Sequence, residues 1–161
     1  MKKITWRFVF TLAAFFLLSG IKAQTEGINQ VSAKPMNEID VVWGDAPPSL
    51  PKGAKMAVMA GDPSKAGPVT LRAMFPANYK MAAHTHGGVE NVTVLKGSLY
   101  VGMGNKLDMK TATLLKPGGF FAIPTTGPHY AFTKEGCVFE VHTMGPFVVN
   151  YVNAADDPSK Q

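Results

Sequence analysis

A single cysteine, Cys137, stands in 161 residues. No disulfide can form within the chain, so a packed core has to stabilise it. Cys137 lies in the strand-like run "GCVFEVHT" and reads as a buried small hydrophobe rather than a reactive thiol. No stretch sustains a helical period, and the 12 prolines interrupt most candidates, which argues against a helical bundle. No internal repeat is visible. Gly102-Met-Gly104 is followed by no Lys-Ser/Thr helix start, so it is no phosphate loop. Basic charge is also scarce once the first residues are set aside. The whole chain carries +5, but residues 1–23 hold Lys2, Lys3, Arg7 and Lys22 and no acid, which leaves +1 for the rest. There is no basic stripe, so nucleic acid is not an expected partner.

What is present begins with "MKKITWRFVFTLAAFFLLSGIKAQ". Three cations precede an apolar run, Phe8 to Leu18, and small residues follow, with Ala23 suited to be the last before cleavage. This predicts a secretory signal peptide over 1–23 and an exported, periplasmic or extracellular protein. The run is short for a membrane span of ~20 residues, and no second span follows. No stable membrane anchor is therefore expected after cleavage. Residues 24–38 read as a flexible polar lead and 154–161 as a solvated tail.

Between them, at 46% apolar residues over the whole chain, lies material for one core and one domain. "EIDVVW" reads as a first strand and "GDAPPSLPKGA" as a loop. Short β-forming runs follow: "KMAVMAG", "PVTLRAMFP", "YKMAAHTHG", "ENVTVL", "SLYVGMG", "TATLLKPG", "FFAIP", "HYAFT", "CVFEVHTM" and "FVVNYVN". Such spacing predicts an all-β sandwich or barrel over 39–153. Gly97 and Gly136 sit at turns between runs, as does the "KPGG" segment.

Two of only four histidines fall in "HTHGGVENVTVLKG". In a strand, residues i and i+2 share a face, so His84 and His86 project together. Gly87 and Gly88 let the chain bend, and Glu90 re-enters at the next strand start. His129 opens a further strand after a Pro–Gly turn and supplies a third imidazole. By alternation Tyr130 and Phe132 face away from it. Three imidazoles and a carboxylate suit Fe, Mn, Ni, Cu or Zn rather than an all-oxygen ion such as Ca.

His84-x-His86, Glu90 and Gly97 resemble the first cupin motif, and Gly118, Pro124 and His129 resemble the second. Gly127 falls one place later than the usual pattern, and Thr133 stands where Asn is usual. The resemblance implies a cupin-type antiparallel β-barrel (jelly roll) of one domain. It also implies one divalent transition metal held by His84, His86, Glu90 and His129. Cupin barrels pair through outer strands, so a homodimer is implied as well, with the Trp43 segment covering a neighbour's sheet edge. Phrases such as "WGDAPPSLP" and "NYVNAADDP" resemble a group of small secreted bacterial cupins.

His142 shares a strand face with Val138 and Glu140. If that face looks inward, His142 and Glu140 are the pocket's acid/base pair; if outward, they are surface groups. Met81 and Met103 are expected near the site, and the other methionines in gaps of the core. Three functions fit. One is a metal-dependent oxidoreductase, dioxygenase-like, on a small oxygenated or chelating molecule, with decarboxylation or isomerisation as related chemistry. The second is a non-catalytic metal or small-ligand binding or sensing module. The third, a structural protein with a vestigial site, is disfavoured by the complete ligand set.

Overall fold

The computed structural model describes residues 35–161. The expected signal peptide and residues 24–34 of the polar lead lie outside the described residues. Eleven strands follow in chain order: β1 (Gly44–Asp45), β2 (Lys55–Ala60), β3 (Gly67–Phe75), β4 (Lys80–Thr85), β5 (Glu90–Gly97), β6 (Leu99–Met103), β7 (Thr113–Leu115), β8 (Phe120–Ile123), β9 (His129–Phe132), β10 (Cys137–Gly145) and β11 (Asn150–Tyr151). Six pair in the order β1-β2-β3-β10-β5-β8, and five in the order β11-β4-β9-β6-β7. Every pairing is antiparallel. This is the predicted jelly roll. Among the described residues no ladder joins one sheet to the other, so it is a sandwich with two seams rather than a closed barrel.

Period-2 patterning builds the core. On β3, Val69, Leu71, Ala73 and Phe75 turn inward while Thr70, Arg72 and Met74 do not. On β10, Cys137, Phe139, Val141 and Thr143 do the same, as expected for a sheet buried on one face. Leu71, Val94 and Leu99 are sealed between the layers. β9 departs from this pattern, because both its faces are covered. His129 and Ala131 look into the sandwich. On the far side the Tyr130 hydroxyl donates to the Asp108 carbonyl (3.0 Å), and Phe132 stacks on Tyr100 at 4.6 Å between centroids.

The turns use the glycines singled out above. Gly97 (φ 69°), Gly118 (φ 85°) and Gly136 (φ 95°) all adopt the left-handed region, which costs glycine little. Thr133, where cupins usually carry Asn, is buried, and its hydroxyl accepts the Gly136 N–H at 3.0 Å.

"EIDVVW" is not a strand. Glu38–Asp40 forms a 3-10 turn, in which the Asp40 carboxylate accepts the Asn37 N–H at 2.9 Å. A side chain that satisfies the backbone locally competes with a ladder. Ile39 and Val42 stay exposed as a result, and pairing begins only at Gly44. The C-terminal segment also takes up two 3-10 turns, Ala154–Asp156 and Pro158–Lys160. The side chains of Asn153 and Asp157 cap them.

Candidate metal centre

The four motif residues come from three strands whose ends meet. His84 lies directly opposite His129 across the β4–β9 ladder. His86 follows two residues later on the same face. Glu90 is the first residue of β5, just past the Gly87–Gly88 bend. A register shift between Met81 and His84 is what lets β4 serve the site. Strict alternation from Met81 would send His84 to the opposite face. One extra residue in β4 restores the parity, so Met81, His84 and His86 all line the same cavity.

All four side chains are at least nine-tenths buried. Among the described residues, His84, His86 and His129 each offer a nitrogen, and these atoms lie within 4.8 Å of one another. Their tautomers follow from their outer contacts. Nδ1 of His84 meets the Ala82 carbonyl at 2.7 Å. Nδ1 of His86 meets the Val148 carbonyl at 2.7 Å. Nδ1 of His129 meets the Gly127 carbonyl at 3.0 Å. A carbonyl only accepts, so each Nδ1 carries a hydrogen and donates it. The Nε2 atom of each neutral ring then presents a lone pair to the interior. This is the arrangement by which metal-binding imidazoles are held and oriented.

Glu90 Oε2 lies 3.2 Å from His86 Nε2 and 3.3 Å from His129 Nε2. An ionised carboxylate also only accepts. Lone pairs that face each other repel, so the cluster calls for a cation: a proton, or a metal ion. His86 Nε2 is buried without a well-directed hydrogen bond, and a buried polar atom in that state is costly. The donor set and this orphaned nitrogen fit a divalent transition metal.

The electrostatics follow the same lines. Burial first, then the neighbouring His129 and His86, pull His84 down to about 3, so this ring stays neutral. Burial opposes the charge on His86 as well, but Glu90 outweighs it and the net shift is upward. For Glu90 burial again works against the charge, yet contacts with His129 and His86 hold the carboxyl well below its usual range.

The site opens into a cavity of about 60 Å³. Apart from the four motif residues its walls are apolar, among them Phe75, Met81, Leu99, Phe139 and Val141. Phe147 stacks on the His86 ring at 4.9 Å. Sequence reasoning missed Phe147 and Leu50 as wall residues. Leu50 sits in a Pro-containing connection with no period to place it, and Phe147 opens the expected strand "FVVNYVN", of which only Asn150–Tyr151 pairs.

His142 and Glu140 do not belong to this site. They occupy the outward positions of β10, where the His142 side chain is 51% exposed. Its Nδ1 shares a hydrogen bond with the Thr70 hydroxyl (3.1 Å), and its Nε2 lies 3.1 Å from Glu140 Oε1. Glu140 also accepts from Arg72 Nε at 2.7 Å. The inward reading therefore fails for a simple reason: Phe139, Val141 and Thr143 take the inward positions. Met103 also lies outside the cavity and is partly exposed, although it pairs with His129 in register.

Comparisons with known proteins agree with this architecture. A family model described as "Domain of unknown function (DUF4437)" matches residues 29–150. No curated protein matches at a significant level. Among solved structures, the polyketide cyclase RemF from Streptomyces resistomycificus is similar, at TM-score 0.62 and 21% identity, over 80% of this chain and 92% of that one. An RmlC-like cupin from Shewanella frigidimarina is similar at TM-score 0.55 and 14% identity, over 71% and 92%. A protein with a double-stranded beta-helix domain from Klebsiella pneumoniae is similar at TM-score 0.54 and 18% identity, over 74% and 98%.

Proposed function

From the premise that the chain belongs to the family described as Domain of unknown function (DUF4437) and has the cupin fold, we propose that it is an exported metal-dependent oxidoreductase of the dioxygenase type. Its substrate is a small oxygenated or chelating molecule. Its ligands are His84, His86, Glu90 and His129. The observation that carries this reading is the orientation of the three rings. Each is pinned through Nδ1 to a main-chain carbonyl, which leaves each Nε2 for the cavity, where the three ligand nitrogens lie within 4.8 Å of one another and those of His86 and His129 lie beside the Glu90 carboxylate.

A metal of the Fe, Mn, Ni, Cu or Zn class bound there supplies Lewis acidity and, for the redox-active members, electron transfer. The chain's own residues do the rest. The carbonyls of Ala82, Val148 and Gly127 fix the tautomers. Glu90, kept ionised by its contacts with His129 and His86, would offset cationic charge. The apolar walls exclude water, which strengthens every polar contact at the site. Export rests on the leader at 1–23 and is checked by the mass of the secreted protein, which should begin at Gln24.

One observation favours a second reading, a non-catalytic module that binds a metal and a small ligand. Among the described residues, no titratable side chain lines the cavity beyond the four motif residues, so no separate acid/base serves a substrate. Oxygen uptake by metal-loaded protein with a panel of small chelating acids and diols separates the two. Metal-dependent uptake with a product of altered mass supports the enzyme. Stoichiometric binding with the ligand recovered unchanged supports the module.

A further inference from the structure

The cavity is polar at one end only. Glu90 and His129 open β5 and β9, while His84 lies near the end of β4 and His86 just beyond it. Register sets His84 opposite His129, and Glu90 reaches the same end from the other sheet. At the opposite end lie Phe75, the last residue of β3, Leu99, the first of β6, and Phe139 near the start of β10. The Phe75 and Phe139 rings meet edge to face at 4.9 Å. No charge, donor or acceptor side chain lines that end among the described residues. A volume of about 60 Å³ corresponds to roughly four to six water-sized groups.

The wall is not built from strands alone. Residues 46–54 cross from β1 to β2 at the sheet edge where that layer is not laddered to the other. Two phenols hold this strap from below: Tyr151 donates to the Ser49 carbonyl at 2.8 Å, and Tyr79 to the Pro51 carbonyl at 2.7 Å. Leu50 sits between these two bonds, is 7% exposed and lines the cavity. The other wall residues from a connection, Phe147 and Val149, flank Val148, whose carbonyl holds His86. Leu50 belongs to none of the segments that carry or anchor the metal-binding side chains.

We propose that the site accepts a chelator with an oxygen-bearing head and a short uncharged apolar body, and that Leu50, in the flank between the two strap bonds, limits the size of body admitted. This rests on the reading of the four motif residues as a metal centre. A body that ends in a second charge has no partner among Phe75, Leu99 and Phe139, and burying an unpaired charge is strongly unfavourable. Truncation of Leu50 enlarges the cavity toward the strap, and a larger side chain there reduces it.

The test uses the full protein loaded with cobalt(II), titrated with linear alkyl hydroxamates and read by the visible spectrum of the metal. A comparator of equal length carries a terminal carboxylate. Metal content is measured in parallel. Wild type should prefer acetohydroxamate to hexanohydroxamate by about tenfold or more. Leu50→Ala should close most of that gap, and Leu50→Phe should widen it, so the idea does not depend on one variant folding. The carboxylate-tailed comparator should bind about tenfold more weakly than its apolar counterpart. An unchanged length profile in variants that still hold cobalt overturns the role of Leu50 and leaves the metal centre standing. Equal binding of charged and apolar tails overturns the ligand class in the same way. Failure of wild type to bind cobalt at all overturns both.

Discussion

At the scale of single residues, what a side chain can do here depends on which face of a strand carries it. His142 is two positions beyond Glu140 on β10, and both point away from the cavity. His142→Ala should therefore leave metal content unchanged and, if turnover is found, alter it less than twofold, an estimate in line with an exposed position remote from the chemistry. Metal analysis together with a rate assay checks this. Cys137 shows the opposite situation. Burial pushes its thiol up to about 11, against hydrogen bonds from Thr133 and the Phe75 backbone that draw it down. The thiolate is the reactive form, so iodoacetamide at about pH 8 should leave the folded protein unmodified and label it fully in denaturant. His84 supplies a pH dependence. Its folded value of about 3 lies below its ordinary 6.5, so the unfolded chain binds a proton that the folded chain refuses. The metal-free protein should lose stability as pH falls from 6.5 toward 3. The depressed Glu90 adds to that loss below its ordinary 4.5. The raised His86 acts oppositely, since its contribution is lost as pH rises above 6.5. Thermal melts across this range should show a steeper acid decline in wild type than in His84→Phe.

At the scale of elements, alternation and turn glycines made most of the fold legible before any coordinates. The runs at 55–61, 68–76, 90–95 and 137–144 became β2, β3, β5 and β10 within a residue or two. Gly97, Gly118 and Gly136 all proved to need positive φ. The failures have physical causes. "EIDVVW" has strand composition, but the Asp40 carboxylate turns the chain before a ladder can start. The extra residue in β4 that brings Met81 into parity with His84 leaves no compositional trace, because a bulge is defined by pairing with a distant strand. The carbonyls that fix the three imidazoles belong to Ala82, Gly127 and Val148. Any residue offers a carbonyl, so no side chain announced them. The four motif side chains themselves were legible because their chemistry and spacing are confined to a short window and one later strand. A prediction follows for the β5–β6 turn. A Cβ at Gly97 would lie 2.2 Å from the Gly136 carbonyl oxygen, at φ 69°. Gly97→Ala should destabilise by about 2–4 kcal/mol, from left-handed strain and a clash with main chain. Gly44→Ala, whose nearest neighbour would be 3.8 Å away, should cost less than about 1 kcal/mol. Urea melts of the two variants make the comparison.

At the scale of the whole molecule, two sheets that share no ladder among the described residues are held together by their apolar filling and by the connections that span the seams. Leu71, Val94 and Leu99 belong to one apolar cluster with Val69, Phe75, Val92 and Val141, so chelated protein should keep its β-sheet circular dichroism. It should also melt at a lower temperature than loaded protein, because a ligand bound only by the folded state stabilises it. The central claim is that His84, His86, Glu90 and His129 act together on one ion. The most direct measurement is metal content per chain, by elemental analysis at neutral pH, for protein purified without a chelating tag and reloaded with a divalent transition metal. Wild type should hold about one ion per chain, and His84→Ala and His129→Ala should each lose most of it. Full stoichiometric metal in both variants would contradict the account and return "HTHGGVE" to the role of ordinary strand and turn.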